Sequence, residues 1–512
     1  MDIFGRHDQN DKRCLFGKSL TIAIFGVNLD TNKVLVYNYI DSVRKFFVCG
    51  KHFISQNHSK RSEKERIMLK RKFLGNLSIS HHKNTANLSP VKMELPKEVL
   101  LPMDQHIGAP AIPVVKVGDE VRVGQLVAEA NGAVSAPIYS SVSGKVIKIE
   151  DNLSANGKTV PAIRIESDGA MTVVDGLTPP TVTDVDSLLD ACRKSGIVGL
   201  GGAGFPTAVK LAVLKKGCIH TVIINGAECE PYITSDARTM LDDTEYVYEG
   251  IKLFQKVAPE IKKYVLAIEK NKPECIEALG NLIKDDEAVS IAKLPLLYPQ
   301  GAEKIMIYNT LGITVPEGKL PADVGVVVIN VSTLANLAKY VKTGMPLIEK
   351  YVTVDGNAIA KPQNVIVPIG TPVADVLEFV GGLTDTNCKV IKGGPMTGHA
   401  LRSLSEPIVK TTNAIVALTE KETLGKKMTA CIHCGKCVEV CPNSLNPTAF
   451  VKALKAETVD EQMAMLEDAH VNLCMDCGCC AYVCPAARPL AEQIRIAKNS
   501  LREYQAHKAS LK

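Results

Sequence analysis

The chain has 512 residues, 46% of them hydrophobic, and carries a net charge of +5, which is length and apolar content enough for about three to five domains with cores of their own. The charge is local: residues 1–95 hold 17 Lys and Arg against 8 Asp and Glu, a net of +9 that leaves −4 for the remainder, so a nucleic-acid reading of the whole protein has little support. No apolar run approaches the ~18–20 residues of a spanning helix, the best candidate being Leu20–Val27, and any membrane association is therefore expected to be peripheral.

Residues 1–94 read as an atypical or disordered basic extension. They contain most of the chain's Phe residues and a basic run from Lys60 to Lys72, with no strand-and-turn rhythm. A basic helix over Ser62–Leu74 touching anionic lipid or a partner is one reading; a solvated charged face is the simpler one.

From Leu95 to residue 170 short Val-rich strands alternate with glycine turns, as in Val115-Lys-Val-Gly118-Asp119-Glu-Val-Arg-Val-Gly124 and Ser143-Gly144-Lys-Val. This texture resembles a lipoyl-type barrel-sandwich hybrid. A carrier domain of that kind presents a lysine at a hairpin tip, and the corresponding stretch, Ala130-Asn-Gly-Ala-Val, has none. A scaffold is expected rather than a swinging arm.

Residues 171–345 read as an α/β domain. A helix is expected over Asp184–Ser195, then the loop Gly199-Leu-Gly201-Gly202-Ala-Gly204-Phe205-Pro206 and a second helix near Pro206. Glycines so close together let backbone N–H groups approach a phosphate or a flavin ring without Cβ interference. The next strand, Thr221-Val-Ile-Ile-Asn225, runs into Gly226-Ala-Glu228-Cys-Glu230-Pro231, which puts acidic side chains at a strand's carboxyl end, where α/β folds bind nucleotides. Residues 346–415 read as strand, turn, strand and a helix over Pro372–Val380 stopped by Gly381-Gly382.

In residues 416–512 the pattern Cys-x2-Cys-x2-Cys-x3-Cys-Pro occurs twice, at Cys431, Cys434, Cys437, Cys441 and at Cys474, Cys477, Cys480, Cys484. This is the spacing that holds two [4Fe-4S] cubanes, with the fourth cysteine of each run carried past to the other cluster. Cross-ligation predicts Cys431, Cys434, Cys437 and Cys484 on one cluster and Cys474, Cys477, Cys480 and Cys441 on the other, with Cys479 a bystander. Structural zinc fits the spacing less well, because it uses Cys-x2-Cys pairs set well apart. Disulfides fit worse still, since the remaining cysteines are scattered without framework spacing and a reducing cytosol suits the chain best. Helices are expected over Asn446–Ala456, Val459–His470 and Pro489–Gln505, giving an all-helical two-cluster domain.

The loop Gly201-Gly202-Ala-Gly204-Phe205-Pro-x-x-x-Lys210 resembles the flavin loop of the NADH-oxidising flavoprotein subunit of respiratory complex I. Asn225, Glu228, Glu230 and Pro231 match its Asn-x-x-Glu-x-Glu-Pro segment, Tyr298-Pro-Gln-Gly301-Ala-Glu303 its Tyr-x-x-Gly-Glu-Glu turn, and Asn330-Val-Ser-Thr333-Leu-Ala its Asn-Val-Glu-Thr-Leu-Ala segment. Ala227 and Ala302 stand where that family has acids. The match is closer still to a relative, the C subunit of the Rnf/Rsx ion-translocating electron-transport complexes. It covers about Glu94 to Tyr504 and rests on Gln105-His-Ile-Gly-Ala-Pro110, Ile224-Asn-Gly-Ala-Glu-Cys-Glu-Pro-Tyr232, Pro299-Gln-Gly-Ala-Glu-Lys304, Leu320-Pro-Ala-Asp-Val-Gly325 and Gly393-Gly-Pro-Met396. The family's opening Gly-Gly-x-His-Pro segment is missing; His81-His82-Lys83 is read as its remnant and the extension as the product of an upstream start site.

What the resemblance implies is a multidomain α/β fold made of the barrel-sandwich hybrid, a complex-I-flavoprotein-like domain, a β-grasp module and the helical ferredoxin domain. Its cofactors would be non-covalent FMN, NAD(H) and two [4Fe-4S] clusters. Glu228 and Glu230 are the expected catalytic acids, and Gly201, Gly202, Gly204, Phe205, Lys210, Asn225, Glu228, Gly301, Glu303, Asn330 and Thr333 the expected flavin and nicotinamide contacts. The expected setting is the cytoplasmic face of the cell membrane, beside integral and peripheral subunits of one complex and a ferredoxin or ferredoxin-like subunit. Two alternatives stand beside it: a soluble flavin and iron-sulfur reductase of the cobalamin-reductase type, and a redox-inactive adaptor that docks a ferredoxin.

Overall fold

The computed structural model describes residues 76–153, 157, 159–423, 425 and 427–510. The basic run and the helix expected at Ser62–Leu74 lie outside the described residues. Among the described residues no helix is long and apolar enough to cross a membrane.

The alternating Val-rich segments form two small antiparallel sheets. One is ordered Glu98–Pro102, Thr159–Ser167, Gly144–Leu153, Glu120–Val121, and the other Ile112–Pro113, Leu126–Glu129, Ile138–Tyr139. Period two does the sorting: Val99 and Leu101 pair with Ile165 and Ile163, and all four are fully buried.

In the α/β domain four parallel strands run in the order Val289–Leu294, Lys263–Glu269, Thr221–Gly226, Val326–Asn330. The first helix, Val185–Lys194, starts where the sequence says: Asp184 accepts from the Ser187 N–H and the Ser187 hydroxyl reaches back, a closed capping box. The apolar stretches Thr221–Gly226 and Val326–Asn330 are buried on both faces, as parallel strands between helices must be.

The β-grasp module supplies a mixed six-stranded sheet, in which Glu349–Asp355 pairs antiparallel with Gln363–Pro368 and parallel with Ala414–Thr419. Its helix spans Val373–Phe379, and Gly381 and Gly382 follow in the left-handed region. The last domain is helical, with Pro447–Ala453, Val459–Asp468 and Leu490–Ser510 closing on Phe450, Leu466, Ile494 and Leu501.

Residues 76–94 correct the expected domain boundary, because they are built into the body of the protein. Val91–Lys92 adds a parallel strand beside Gln363–Pro368. Thr85 is buried, its hydroxyl 2.6 Å from that of Thr234, and its carbonyl accepts from Asn364 Nδ2. The partners lie 149 and 279 positions away, so no local pattern could have announced them.

One buried amine ties three domains together. The Lys410 side chain, fully enclosed at the end of the β-grasp module, donates to Pro137 O of the barrel (2.6 Å) and Gly196 O of the α/β domain (2.7 Å). Lys350 donates in turn to Lys410 O at 2.7 Å. Burial pushes both amines down to about 7. Between that value and the ordinary lysine value the unfolded chain binds more protons than the folded one, so stability rises with pH, with a limiting slope of about 1.4 kcal/mol per pH unit for each lysine. The melting temperature is therefore expected to climb from pH 7 to 8.5, and Lys410→Met to flatten the climb; a wild-type melting temperature constant over that interval would contradict this. Above pH 9 the buried thiols of Cys192, Cys229 and Cys275, pushed up to about 12, act in the opposite sense.

Candidate functional site

Strand order fixes where a ligand can sit. From Thr221–Gly226 the chain builds outward through Lys263–Glu269 and Val289–Leu294, then returns to the other side of the first strand with Val326–Asn330. The crevice between two strands connected in opposite directions, at their carboxyl ends, is the ligand position of open α/β sheets. Asn225 and Asn330 stand opposite each other at those ends. A cavity of about 510 Å³ opens there, with Gly201, Gly202, Asn225, Glu228, Glu230, Gly301 and Asn330 in its walls.

The glycine loop is held down at both ends. Leu200 N–H donates to Thr333 Oγ1 (2.9 Å) and Gly199 N–H to Phe205 O (2.9 Å). A Cβ on Gly201 would lie 3.0 Å from Asn330 Nδ2, and one on Gly204, which has φ +66°, would lie 2.7 Å from Thr411 Cγ2. The loop can close on the asparagine and on the β-grasp module only without side chains.

Five expected contacts, Gly204, Phe205, Lys210, Glu303 and Thr333, are not among the residues that line the cavity. Thr333 takes the loop's N–H, and Lys210 and Glu303, each side chain 36% exposed, pair with each other at 2.6 Å.

The two acids are differently employed. Glu228, in the left-handed region at φ +52°, accepts from the N–H groups of Asp236 (2.6 Å) and Ala237 (3.3 Å), the first turn of the helix Ser235–Asp242. Burial pushes its carboxyl up to about 7 against the pull of Lys83 and Lys272. Glu230 reaches the β-grasp loop, accepting from Met396 N–H (3.2 Å) and the Thr397 hydroxyl. A Cβ on Gly394 would come within 2.3 Å of its carboxylate, so glycine is required there by the close approach.

Lys83 holds the turn that carries both acids, and sequence reasoning missed it. Its ammonium donates to the carbonyls of Glu228 (2.8 Å), Glu230 (2.8 Å) and Ile233 (2.5 Å), spending all three of its donors. His82 stacks on Tyr232 with centroids 4.8 Å apart. From the other side Lys272 donates to Ala227 O (2.7 Å) and Glu269 (2.9 Å). The signal available was the lysine two positions after His81, which alone says nothing of carbonyls some 145 positions away.

The eight motif cysteines gather in two sets. A cavity of about 500 Å³ is lined by Cys431, Cys434, Cys437 and Cys484, and a tighter one, of about 30 Å³, by Cys441, Cys474, Cys477 and Cys480, with Cys479 in its wall as well. Each motif folds the same way. Gly435 and Gly478 both have φ +75° and open one-turn helices, Lys436–Glu439 and Cys479–Tyr482. His433 N–H points at Cys431 Sγ and Asp476 N–H at Cys474 Sγ, both at 3.4 Å. Backbone donors aimed at sulfur suit thiolates that carry the charge of a cluster. Among the described residues no three His, Cys, Asp or Glu side chains converge as a single ion would need; the thiols surround a space instead. Cys479 is buried against Tyr298 and Val440.

The tighter cysteine site adjoins the glycine-loop cavity. Met475, Asp476 and Cys477 form part of that cavity's wall, and Tyr298, another wall residue, donates its hydroxyl to Cys477 O at 2.8 Å. The wider cysteine site lies beyond, with Cys431 and Cys434 exposed.

Comparison with known proteins matches four family models along the chain: the RnfC barrel sandwich hybrid domain over residues 71–170, the Nuo51 FMN-binding domain over 192–339, the SLBB domain over 351–400 and the 4Fe-4S dicluster domain over 427–488. The chain is 45% identical over 357 residues to the C subunit of the Na⁺-translocating ferredoxin:NAD⁺ oxidoreductase complex of Acetobacterium woodii, covering 69% of this chain and 80% of that one. It is 43% identical over 372 residues to the proton-translocating counterpart of Clostridium ljungdahlii, covering 72% and 80%. To the C subunit of the ion-translocating oxidoreductase complex of Rhodobacter capsulatus it is 40% identical over 377 residues, 72% of each chain.

Two outcomes are expected from these contacts. In reconstituted protein the reduced EPR spectrum of Cys484→Ala should match that of Cys434→Ala, and that of Cys441→Ala should match Cys477→Ala; the reverse pairing would contradict the cross-ligated sets. Lys83→Met should weaken FMN binding at least about tenfold in a fluorescence titration, since it leaves three carbonyls of a cavity-wall turn without their donor. An unchanged dissociation constant would show the turn to be held without it.

Proposed function

The chain belongs to the family of C subunits of the ion-translocating oxidoreductase complexes, and from that premise we propose that it passes electrons between NAD(H), FMN and two [4Fe-4S] clusters, in a complex whose membrane subunits move the ion. Bound FMN would supply the exchange between a two-electron hydride donor and one-electron cubanes. This chain's residues do the rest. Gly201 and Gly202 leave room for a ring system against the backbone, Asn225 and Asn330 offer amides at its edge, and Glu228 sets a carboxyl with a near-neutral titration point in the wall.

The observation that carries the reading is the common wall: Cys477, in the tighter cysteine set, also lines the flavin-sized cavity. On this reading the second cluster lies between the flavin and the first. The first cluster, with two exposed thiols and Lys436, Lys452, Lys455 and Arg488 around it, is then the outlet to a partner protein at the cytoplasmic face, a ferredoxin-like carrier being the chemical class that fits. The same reading makes the protein an oxidoreductase subunit peripheral to the membrane.

Anaerobically reconstituted protein is expected to carry FMN and about eight irons and to reduce ferricyanide with NADH; Glu228→Ala should slow that reaction at least about tenfold while the irons remain. Absence of both flavin absorbance and NADH:ferricyanide activity would sink the proposal, and an unaffected rate in Glu228→Ala would favour an adaptor.

A further inference from the structure

A second cavity, of about 210 Å³, lies on the far side of the helix Ser235–Asp242, between it, the helix Val331–Thr343 and the β-grasp sheet. Ser235, Thr239, Ser332, Asn336, Lys339 and Lys350 are in its walls. Two residues line this cavity and the flavin-sized one alike, Asp236 and Asn413. Of the two only Asp236 can hold a proton.

The Asp236 carboxylate is bonded toward both sides. Oδ2 accepts from Asn330 Nδ2 (2.8 Å), a residue of the first cavity, and Oδ1 from the Ser332 hydroxyl (2.5 Å), a residue of the second. Ser332 is in turn 2.7 Å from the Thr239 hydroxyl, so a hydrogen-bonded chain continues into the second cavity. The charged groups that bear on Asp236 come from every side: Glu228 from the acidic turn, Lys272 from the segment before the helix Pro273–Ile283, and Lys350 from the strand Glu349–Asp355. Farther out the paired Lys339 and Asp243 line the cavity. Glu228 and Lys350, on either side of Asp236, both titrate at about 7, and burial raises Asp236 itself above the ordinary carboxylate range. Neighbouring buried groups matched near neutrality are what proton transfer needs.

We propose that Asp236 is the gate by which the proton exchanged at the flavin site passes to and from the second cavity, with Lys350 taking and giving it there. The inference rests on the function proposed above. NADH becomes NAD⁺ by giving up two electrons and one proton in total; the electrons leave through the clusters, so one proton per nicotinamide must leave separately, and in the reverse direction one must enter. A nicotinamide bound in the first cavity with the flavin would leave Asp236 as the titratable wall residue shared with the second cavity. Asp236 takes the proton at a carboxylate oxygen from the flavin side and passes it by way of the Ser332 and Thr239 hydroxyls into the second cavity, where Lys350 is a wall residue.

The test uses the full chain loaded with FMN and clusters, with the redox-inert analogue 1,4,5,6-tetrahydro-NAD covering the flavin. The flavin is reduced photochemically, so that electrons arrive without nicotinamide oxidation, and proton uptake is followed with an indicator dye in weak buffer. In the wild type uptake should keep pace with flavin bleaching; in Asp236→Asn and in Lys350→Met it should lag at least tenfold. Lys350 does not line the flavin cavity, so Lys350→Met decides the matter if Asp236→Asn loses FMN. Uptake in step with bleaching in Lys350→Met, or in an FMN-loaded Asp236→Asn, would overturn the gate. A wild type that binds no FMN would instead overturn the proposed function, and this inference with it.

Discussion

Two buried ammonium groups, those of Lys83 and Lys272, hold the turn from Ala227 to Ile233 by four of its carbonyls. The turn needs holding, because Glu228 and Tyr232 adopt positive φ, a conformation costly for residues with a Cβ. Much of the site hangs from it. Glu228 caps the helix Ser235–Asp242, Glu230 draws in the β-grasp loop at Met396 and Thr397, and the N-terminal segment is anchored through Lys83 itself.

The second constraint is contact between domains. An α/β crevice could host a nucleotide alone, and a two-cluster domain could serve any redox partner. Here the two are fused at one wall: Tyr298 links the crevice to Cys477 O, and the closing helix Leu490–Ser510 sends Lys498 back to Cys474 O at 2.7 Å. The cysteine set that touches the crevice is the tight one and the set that faces solvent is the wide one. On the proposed function the tight set is the inner station and the wide set the outer one.

What could be read from the sequence is local in origin. The Asp184 capping box, the Gly381-Gly382 stop, the asparagine before Pro447 and the repeated cysteine spacing each act within a few residues, and the helices appear where those signals put them. Asn225 is legible as a strand end, though its pairing with Asn330 across the sheet is not. What escapes depends on contacts between distant segments. Lys83 sits in a stretch that reads as a foreign extension, although its partners lie 145 to 150 positions on. That Lys210 and Glu303 meet as an ion pair is likewise something that neither motif announces. Asp236 carries no motif at all; its standing comes from lying between two cavities.

The proposed electron path runs in the order flavin, inner cluster, outer cluster. Freeze-quench EPR of NADH-reduced protein carrying Cys474→Ala and Cys477→Ala, with the first cluster and FMN intact, tests it most directly. The flavin should be reduced while the first cluster stays oxidised on the wild-type turnover time. Reduction of the first cluster at the wild-type rate would show that electrons bypass the Cys477 wall, and would contradict the order.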